Sequence, residues 1–144
     1  MFVPVTDLDR SAAFYRESLG FTEDFDTRFG DDVRMIQLTP PGSACSIALI
    51  EGLAPGPGLE HMPPGSLHGL QVVVDDLGAA RTRLTEHGVE VSDVLEVVQE
   101  GGTSVYRPVL GEPIGWNAYA FFNDPDGNGW VLQQRPPEGE GGER

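Results

Sequence analysis

The chain has 144 residues, which is enough for one domain of ordinary size or for two small packed modules. Its 39% apolar and 22% charged residues are typical of a globular protein, and no apolar run approaches the ~20 residues of a membrane span.

The net charge of −14 disfavours phosphate backbones and anionic lipids, so we expect neither a nucleic-acid nor a membrane partner, whereas a cationic ligand is allowed. Cys45 is the single cysteine, so no intramolecular disulfide can form; we expect its thiol to be buried in a strand and the protein to be cytoplasmic.

The first half of the chain predicts a strand, a helix and three more strands. Residues 2–6 read as a strand, and Asp7 is a typical helix N-cap. Apolar residues then recur at helical spacing, at Leu8, Ala12, Tyr15 and Leu19. Gly20 is a typical residue just beyond a helix C-terminus. Turn-forming residues separate the three extended segments, which are predicted at residues 21–28, 33–39 and 44–51.

Residues 52–67 are rich in glycine and proline and predict a linker between two modules. After the linker, residues 68–74 read as a strand, and a helix opens at Asp76 and ends at Gly88. Residues 101–115 are predicted to be mostly loop, with a short strand near Val105 as the alternative. The other extended segments are predicted at residues 89–98, 117–123 and 128–134, and residues 136–144 are predicted to be a disordered tail.

An internal repeat underlies this order of elements. Val5-Thr6-Asp7-Leu8 is matched by Val74-Asp75-Asp76-Leu77, and both segments lead from a strand into a helix. Each half then reads as a strand, a helix and about three strands. The sequence therefore predicts a first module at residues 1–51 and a second at residues 68–135. Because one such module cannot cover both faces of its sheet, we expect two to pair.

Three segments resemble the vicinal oxygen chelate superfamily, which includes glyoxalase I, bleomycin-resistance proteins and extradiol dioxygenases. These segments are VPVTDLDRSAAFYRESLGF, HGLQVVVDDLGAARTRLTEHGVEV and NDPDGNGWVLQQ. They are similar to the two strand–helix units and to the closing hairpin of that family, and the likeness covers residues 1–135. The resemblance implies an α+β fold in which two paired βαβββ modules form a cup from curved mixed sheets around a ligand or a metal.

The resemblance also implies four positions that supply metal ligands in the metal-dependent members. One of them precedes Met1 in this numbering, and the others are occupied by Ala48, Gly69 and Val131. None of these three side chains has a donor atom, whereas an open catalytic site needs about three protein ligands. We therefore expect a protein that uses no metal and no other cofactor.

A metal-dependent enzyme remains the alternative. It would be a lyase, an isomerase or a dioxygenase that uses displaced ligands such as His68, Glu51 or Glu112. His68 is adjacent to the third ligand position, so strand alternation directs it to the opposite face unless a bulge intervenes.

Strand alternation extends from the four ligand positions to a predicted lining of the cup. Counting in steps of two from these positions gives Phe2, Ile50, Gln71, Val73 and Gln133 as inward-facing residues. Trp116, Tyr119 and Tyr106 are candidates for aromatic walls, whereas Trp130 should face the other way. A mostly apolar lining with two amides is typical of a small-molecule site, and we expect a ligand to satisfy the amides of Gln71 and Gln133.

These observations favour a metal-independent small-molecule-binding protein of the glyoxalase/bleomycin-resistance type, which would sequester a partly apolar or cationic compound. The enzyme described above is the first alternative, and an interaction module without a small ligand is the second. Because the half-cups of the family are covered by pairing across subunits, the resemblance also implies a homodimer.

Overall fold

The computed structural model describes residues 1–52, 62–109 and 114–137. The first half of the chain folds in the order β1 (Phe2–Pro4), α1 (Leu8–Glu17), β2 (Thr22–Phe29), β3 (Val33–Thr39) and β4 (Ile47–Glu51). The second half contains β5 (Leu70–Val74), α2 (Leu77–Glu86), β6 (Leu95–Glu100), β7 (Thr103–Pro108), β8 (Ala118–Asn123) and β9 (Gly129–Gln134). Of the described residues, none forms a helix that is long and apolar enough to cross a bilayer.

Helix α1 begins at the residue that the sequence predicts and ends at Glu17, two residues before the predicted Leu19. The side chain of Asp7 accepts a hydrogen bond from the backbone nitrogen of Arg10 at 3.1 Å, which satisfies one of the free donors of the first turn. Leu8 and Tyr15 are buried on the face that packs against β3 and β4. Gly20 follows the helix with a φ of +72°, a conformation that glycine adopts without a Cβ penalty.

The first sheet has the strand order β1-β4-β3-β2. Strand β1 runs parallel to β4, with Phe2 opposite Ala48, and the other two pairs are antiparallel. An ion pair of 3.0 Å joins Arg34 of β3 to Asp9 of α1, so alternate residues of β3 face the helix. The core between helix and sheet contains the buried residues Val3, Ile36, Leu38 and Leu49.

The second sheet has the order β5-β9-β8-β6-β7. This order repeats that of the first sheet and adds one strand, β7, at the edge. Helix α2 is capped in the same way as α1, since the side chain of Asp76 accepts from the backbone nitrogen of Ala79 at 2.9 Å. The two sheets and two helices confirm the predicted α+β class and its repeated strand–helix–strand modules.

Strand β7 corrects the expectation that residues 101–115 are mostly loop. Its six residues pair with β6 through a two-residue turn, and Glu100 lies opposite Thr103. The turn residues Gly101 and Gly102 have φ values of +57° and +81°, as in the hairpin turns that favour glycine at both central positions. The alternative of a short strand near Val105 is therefore the correct one, although the sequence signal is weak because most residues of β7 are exposed and show no apolar alternation. Residues 110–113, which include Glu112, lie outside the described residues.

By its internal contacts the chain divides into two compact units. One consists of Met1–Leu70 with Asn123–Gly129, and the other of Gln71–Phe122 with Trp130–Arg144. The turn between β8 and β9 therefore belongs to the first unit. The hydroxyl of Tyr15 in α1 donates to Oδ2 of Asp124 in this turn at 2.7 Å, and both residues are buried.

The expectation of a buried Cys45 is wrong. Strand β4 begins only at Ile47, and Cys45 lies in the preceding loop with an exposed side chain. Residues 53–61 of the predicted linker and residues 138–144 of the predicted tail lie outside the described residues.

Candidate ligand-binding face

One face of the second sheet is packed and the other is open, because side chains alternate along each strand. In β5, Leu70 and Val72 are buried, whereas Gln71 is exposed and Val73 keeps 38% of its surface accessible. Gln134, on the packed face of β9, accepts a hydrogen bond of 2.9 Å from the first backbone nitrogen of α2. Helix α2 therefore meets the packed face, and the side chains of Gln71 and Val73 point away from it.

The open face carries no charged strand residue in the part of the chain that the structure describes. Leu95 is opposite both Tyr119 and Pro108, and Val97 is opposite Tyr106, so these residues share one face. The ionic residues of β6 and β7 alternate onto the other face. We call this surface the uncharged face; it consists of Gln71, Val73, Leu95, Val97, Gln99, Ser104, Tyr106, Pro108, Tyr119, Phe121, Val131 and Gln133.

An aromatic cluster lies on the uncharged face. The ring centroid of Tyr106 is 6.3 Å from that of Tyr119 and 5.8 Å from that of Phe121, and both pairs are edge-to-face. Tyr106 is 55% exposed, so much of its ring remains free for a further contact. On the packed face, Trp130 stacks with Phe122 at 6.3 Å, as strand alternation predicts. Trp116 lies in the turn before β8 and is half-buried.

The two predicted amides contact each other. Nε2 of Gln71 donates a hydrogen bond to Oε1 of Gln133. The residue Gln133 is only 6% exposed. One end of each amide is thus satisfied within the sheet, and the contact of Gln71 and Gln133 with a ligand stays a prediction. The residues lie on neighbouring strands at positions of the same parity, so their side chains meet across β5 and β9.

The remaining predicted lining residues lie in the first unit. Phe2 and Ile50 line a shallow apolar groove together with Pro4, Val5, Gly52, Met62 and Pro64. The register places Phe2 opposite Ala48 and Pro4 opposite Ile50, so these residues share the face of the first sheet that points away from α1. The structure thus brings Gln71, Val73, Tyr119 and Gln133 together in one unit and Phe2 with Ile50 in the other.

The residues at the implied metal positions do not fit a metal. Ala48, Gly69 and Val131 have no donor atoms, and the described residues contain no group of three His, Cys, Asp or Glu side chains that could hold an ion. Of the displaced ligands considered above, His68 is exposed. Oε2 of Glu51 accepts a hydrogen bond of 3.0 Å from the backbone nitrogen of Leu8, so this carboxylate satisfies the first backbone donor of α1.

The lining residues that the sequence missed belong to the added hairpin and to its neighbour β8. Val97 and Phe121 are not among the residues that alternation predicts, whereas Tyr106 is a predicted wall residue whose strand is predicted only as the alternative to a loop. The signal that identifies them is the Gly101-Gly102 turn between two segments rich in strand-forming residues.

A sequence model of the Glyoxalase/Bleomycin resistance protein/Dioxygenase superfamily matches residues 1–132. The chain belongs to this superfamily. The match confirms the resemblance that the three sequence segments indicate. No protein with a curated description matches the chain by sequence.

Solved structures of the superfamily match the whole fold. TnmS3, an antibiotic-binding protein from Streptomyces sp. CB03234, is 34% identical and superposes with a TM-score of 0.68 over 95% of this chain and 93% of its own. A glyoxalase/bleomycin resistance protein from the same organism is also 34% identical, with a TM-score of 0.66 over 92% of this chain and 96% of its own. A superfamily member from Sphaerobacter thermophilus is 28% identical, with a TM-score of 0.66 over 94% of each chain.

Proposed function

We propose that this superfamily member is a metal-independent binding protein that sequesters a partly apolar small molecule on the uncharged face of its second sheet. The proposal rests on the composition of that face. An exposed tyrosine and two further aromatic rings share it with a pair of amides, and none of the described strand residues on it is charged. Apolar walls with a few fixed polar groups are typical of small-molecule sites.

The similarity to TnmS3 supports a binding role over a catalytic one. That relative is described as an antibiotic-binding protein and is 34% identical over nearly the full length of both chains. We propose that the present chain likewise binds an antibiotic-like compound. Metal independence is supported by the side chains at the implied ligand positions, which offer no donor atoms.

A homodimer is part of the proposal. Phe25 and Phe29 of β2 are 43% and 50% exposed, and the register puts both on the face of the first sheet that points away from α1. Exposed apolar surface of this kind marks interaction sites, and a second copy would cover it. The exposed free thiol of Cys45 supports a reducing compartment, the cytoplasm. The net charge of −14 supports the absence of nucleic-acid and membrane partners.

The proposal is tested with fluorene, a flat neutral hydrocarbon of three fused rings. We expect fluorene to bind and to raise the melting temperature, and we expect Tyr106→Ala and Phe121→Ala to weaken binding by roughly two- to tenfold each, since an aromatic contact contributes about 0.5–1.5 kcal/mol. Arg107→Ala is the matched control, because it changes the same strand as Tyr106 on the opposite face of the sheet and should leave the affinity unchanged.

Two results would contradict the proposal. If neither fluorene nor a polar analogue of the same shape binds, the uncharged face is not a ligand site, and an interaction module becomes the better hypothesis. If elemental analysis finds about one transition metal per chain and chelation abolishes binding, the metal-dependent lyase, isomerase or dioxygenase replaces it.

A further inference from the structure

The amide pair on the uncharged face points to a chemical class of ligand. We infer that the site selects neutral aromatic carbonyl compounds: Nε2 of Gln133 donates a hydrogen bond to the ligand's carbonyl oxygen, and Gln71 is the positioning residue that directs this nitrogen outward. The inference rests on the proposed function, because it assigns a specificity to the same face.

The orientation of the Gln133 amide is coupled to that of its neighbour Gln71. A glutamine amide has one end that accepts hydrogen bonds and one end that donates them. Because Gln71 donates to Oε1 of Gln133, the accepting end of Gln133 is engaged and its Nε2 must point elsewhere. Rotating the Gln133 amide alone by half a turn would bring two N–H groups together and lose this bond, so the two amides can only turn together.

The donating end of Gln133 reaches the surface. This residue is 6% exposed, and its Nε2 has no hydrogen bond to another described residue. Every buried side-chain nitrogen and oxygen in the described ranges does have a partner, so the small exposed fraction of Gln133 includes Nε2. Val73 and Val131 lie on the same face as this donor. An apolar ligand that covers the donor excludes water from it, so a carbonyl oxygen of the ligand becomes its favoured partner.

The surroundings of the pair favour an uncharged ligand. No strand residue of the uncharged face bears a charge, and the acidic side chains of β6, Glu96 and Glu100, alternate onto the opposite face. A cation bound here would lose hydration without gaining a counterion. The edge-to-face rings of Tyr106, Tyr119 and Phe121 offer an aromatic surface to a flat neutral molecule instead.

Four probes of one shape separate these contributions: fluorene has no polar group, 9-fluorenone adds a carbonyl, carbazole adds an N–H donor, and 9-aminoacridine is a cation at neutral pH. For the wild-type protein we expect 9-fluorenone to bind about fivefold more tightly than fluorene, the gain from one hydrogen bond. Carbazole and 9-aminoacridine should bind no more tightly than fluorene. Gln133→Leu should remove the fluorenone advantage, so that the variant binds 9-fluorenone no more tightly than it binds fluorene.

Gln71→Glu tests the positioning role. A carboxylate only accepts hydrogen bonds, so Gln133 must turn its Nε2 toward residue 71 and present Oε1 to the ligand. The preference should then pass from 9-fluorenone to carbazole, a reversal that a merely structural role would not produce. Gln99→Glu is the matched control for the added charge, since Gln99 lies on the same face but donates to Ser104 Oγ at 2.7 Å and should leave the preference for 9-fluorenone over carbazole intact.

The outcomes distinguish the inference from the proposed function. If no probe binds, the proposed function fails and the inference fails with it. If fluorene binds to the wild-type protein as tightly as 9-fluorenone does, or 9-aminoacridine binds more tightly than both, the site remains a binding face but the assigned ligand class is wrong. If Gln71→Glu stays folded and keeps the preference for 9-fluorenone, Gln71 does not position the donor. The wild-type comparison decides the ligand class even if a variant fails to fold.

Discussion

Replacing Tyr15 by phenylalanine should destabilise the protein by removing a single buried hydroxyl. That hydroxyl donates to Oδ2 of Asp124 at 2.7 Å, and both residues are at most 5% exposed. Asp124 also accepts from the backbone nitrogen and the side-chain amide of Asn128, at 2.9 and 2.8 Å, so its carboxylate stays partly satisfied in the variant. A hydrogen bond to a charged group contributes about 1.5–3 kcal/mol, and we expect a loss of about 2 kcal/mol in the free energy of unfolding.

Urea unfolding followed by circular dichroism measures this change. The midpoint should fall while the slope stays constant, because the substitution alters neither fold nor buried area appreciably. Tyr106→Phe is the matched control, since it removes an exposed hydroxyl and should change the free energy by less than about 0.5 kcal/mol. If Tyr15→Phe proves as stable as this control, the bond between α1 and the β8–β9 turn does not help to hold the first unit together.

Three further substitutions test other parts of the structure. The hydrogen bond from Arg34 lowers the pKa of Asp26 below its ordinary value of 3.8. The carboxylate of Asp26 therefore stabilises the fold fully above pH 3.8, and this stabilisation is lost as the pH falls through the lowered pKa. Asp26→Asn should have a lower urea midpoint than the wild-type protein at pH 7, and the difference between the two midpoints should narrow in strong acid. Glu51→Ala leaves the backbone nitrogen of Leu8 without its partner and should cost about 1–3 kcal/mol in urea unfolding, with no change in metal content by elemental analysis. Gly52→Ala should lower the melting temperature strongly and reduce the soluble yield, because a Cβ there would lie 1.8 Å from a backbone carbonyl oxygen at a φ of +101°.

The sequence predicted the elements whose signals are local. Asp7 and Asp76 are N-caps and Gly20 and Gly88 follow the helices, so both helices were placed within a residue or two. The repeat of these signals, rather than any single motif, indicated two modules of one kind. Strand alternation also placed Gln71 and Gln133 on a common face, because period-two geometry depends only on the strand itself.

The features that the sequence missed depend on pairing between strands. Alternation says which face Gln71 occupies, but only the order of β5 beside β9 brings its amide to Gln133. The aromatic cluster likewise needs the register that sets Tyr106 opposite Val97. Cys45 was misplaced because apolar neighbours extend a strand prediction beyond the point where pairing ends.

Binding of a small apolar molecule by the uncharged face should need no metal. Isothermal titration of 9-fluorenone into protein that has been stripped with a chelator measures this. We expect saturable binding to the stripped protein, with an affinity that added zinc, nickel, iron or manganese leaves unchanged and that Tyr106→Ala weakens. Binding that appears only after a metal is restored, or that Tyr106→Ala leaves intact, would contradict it.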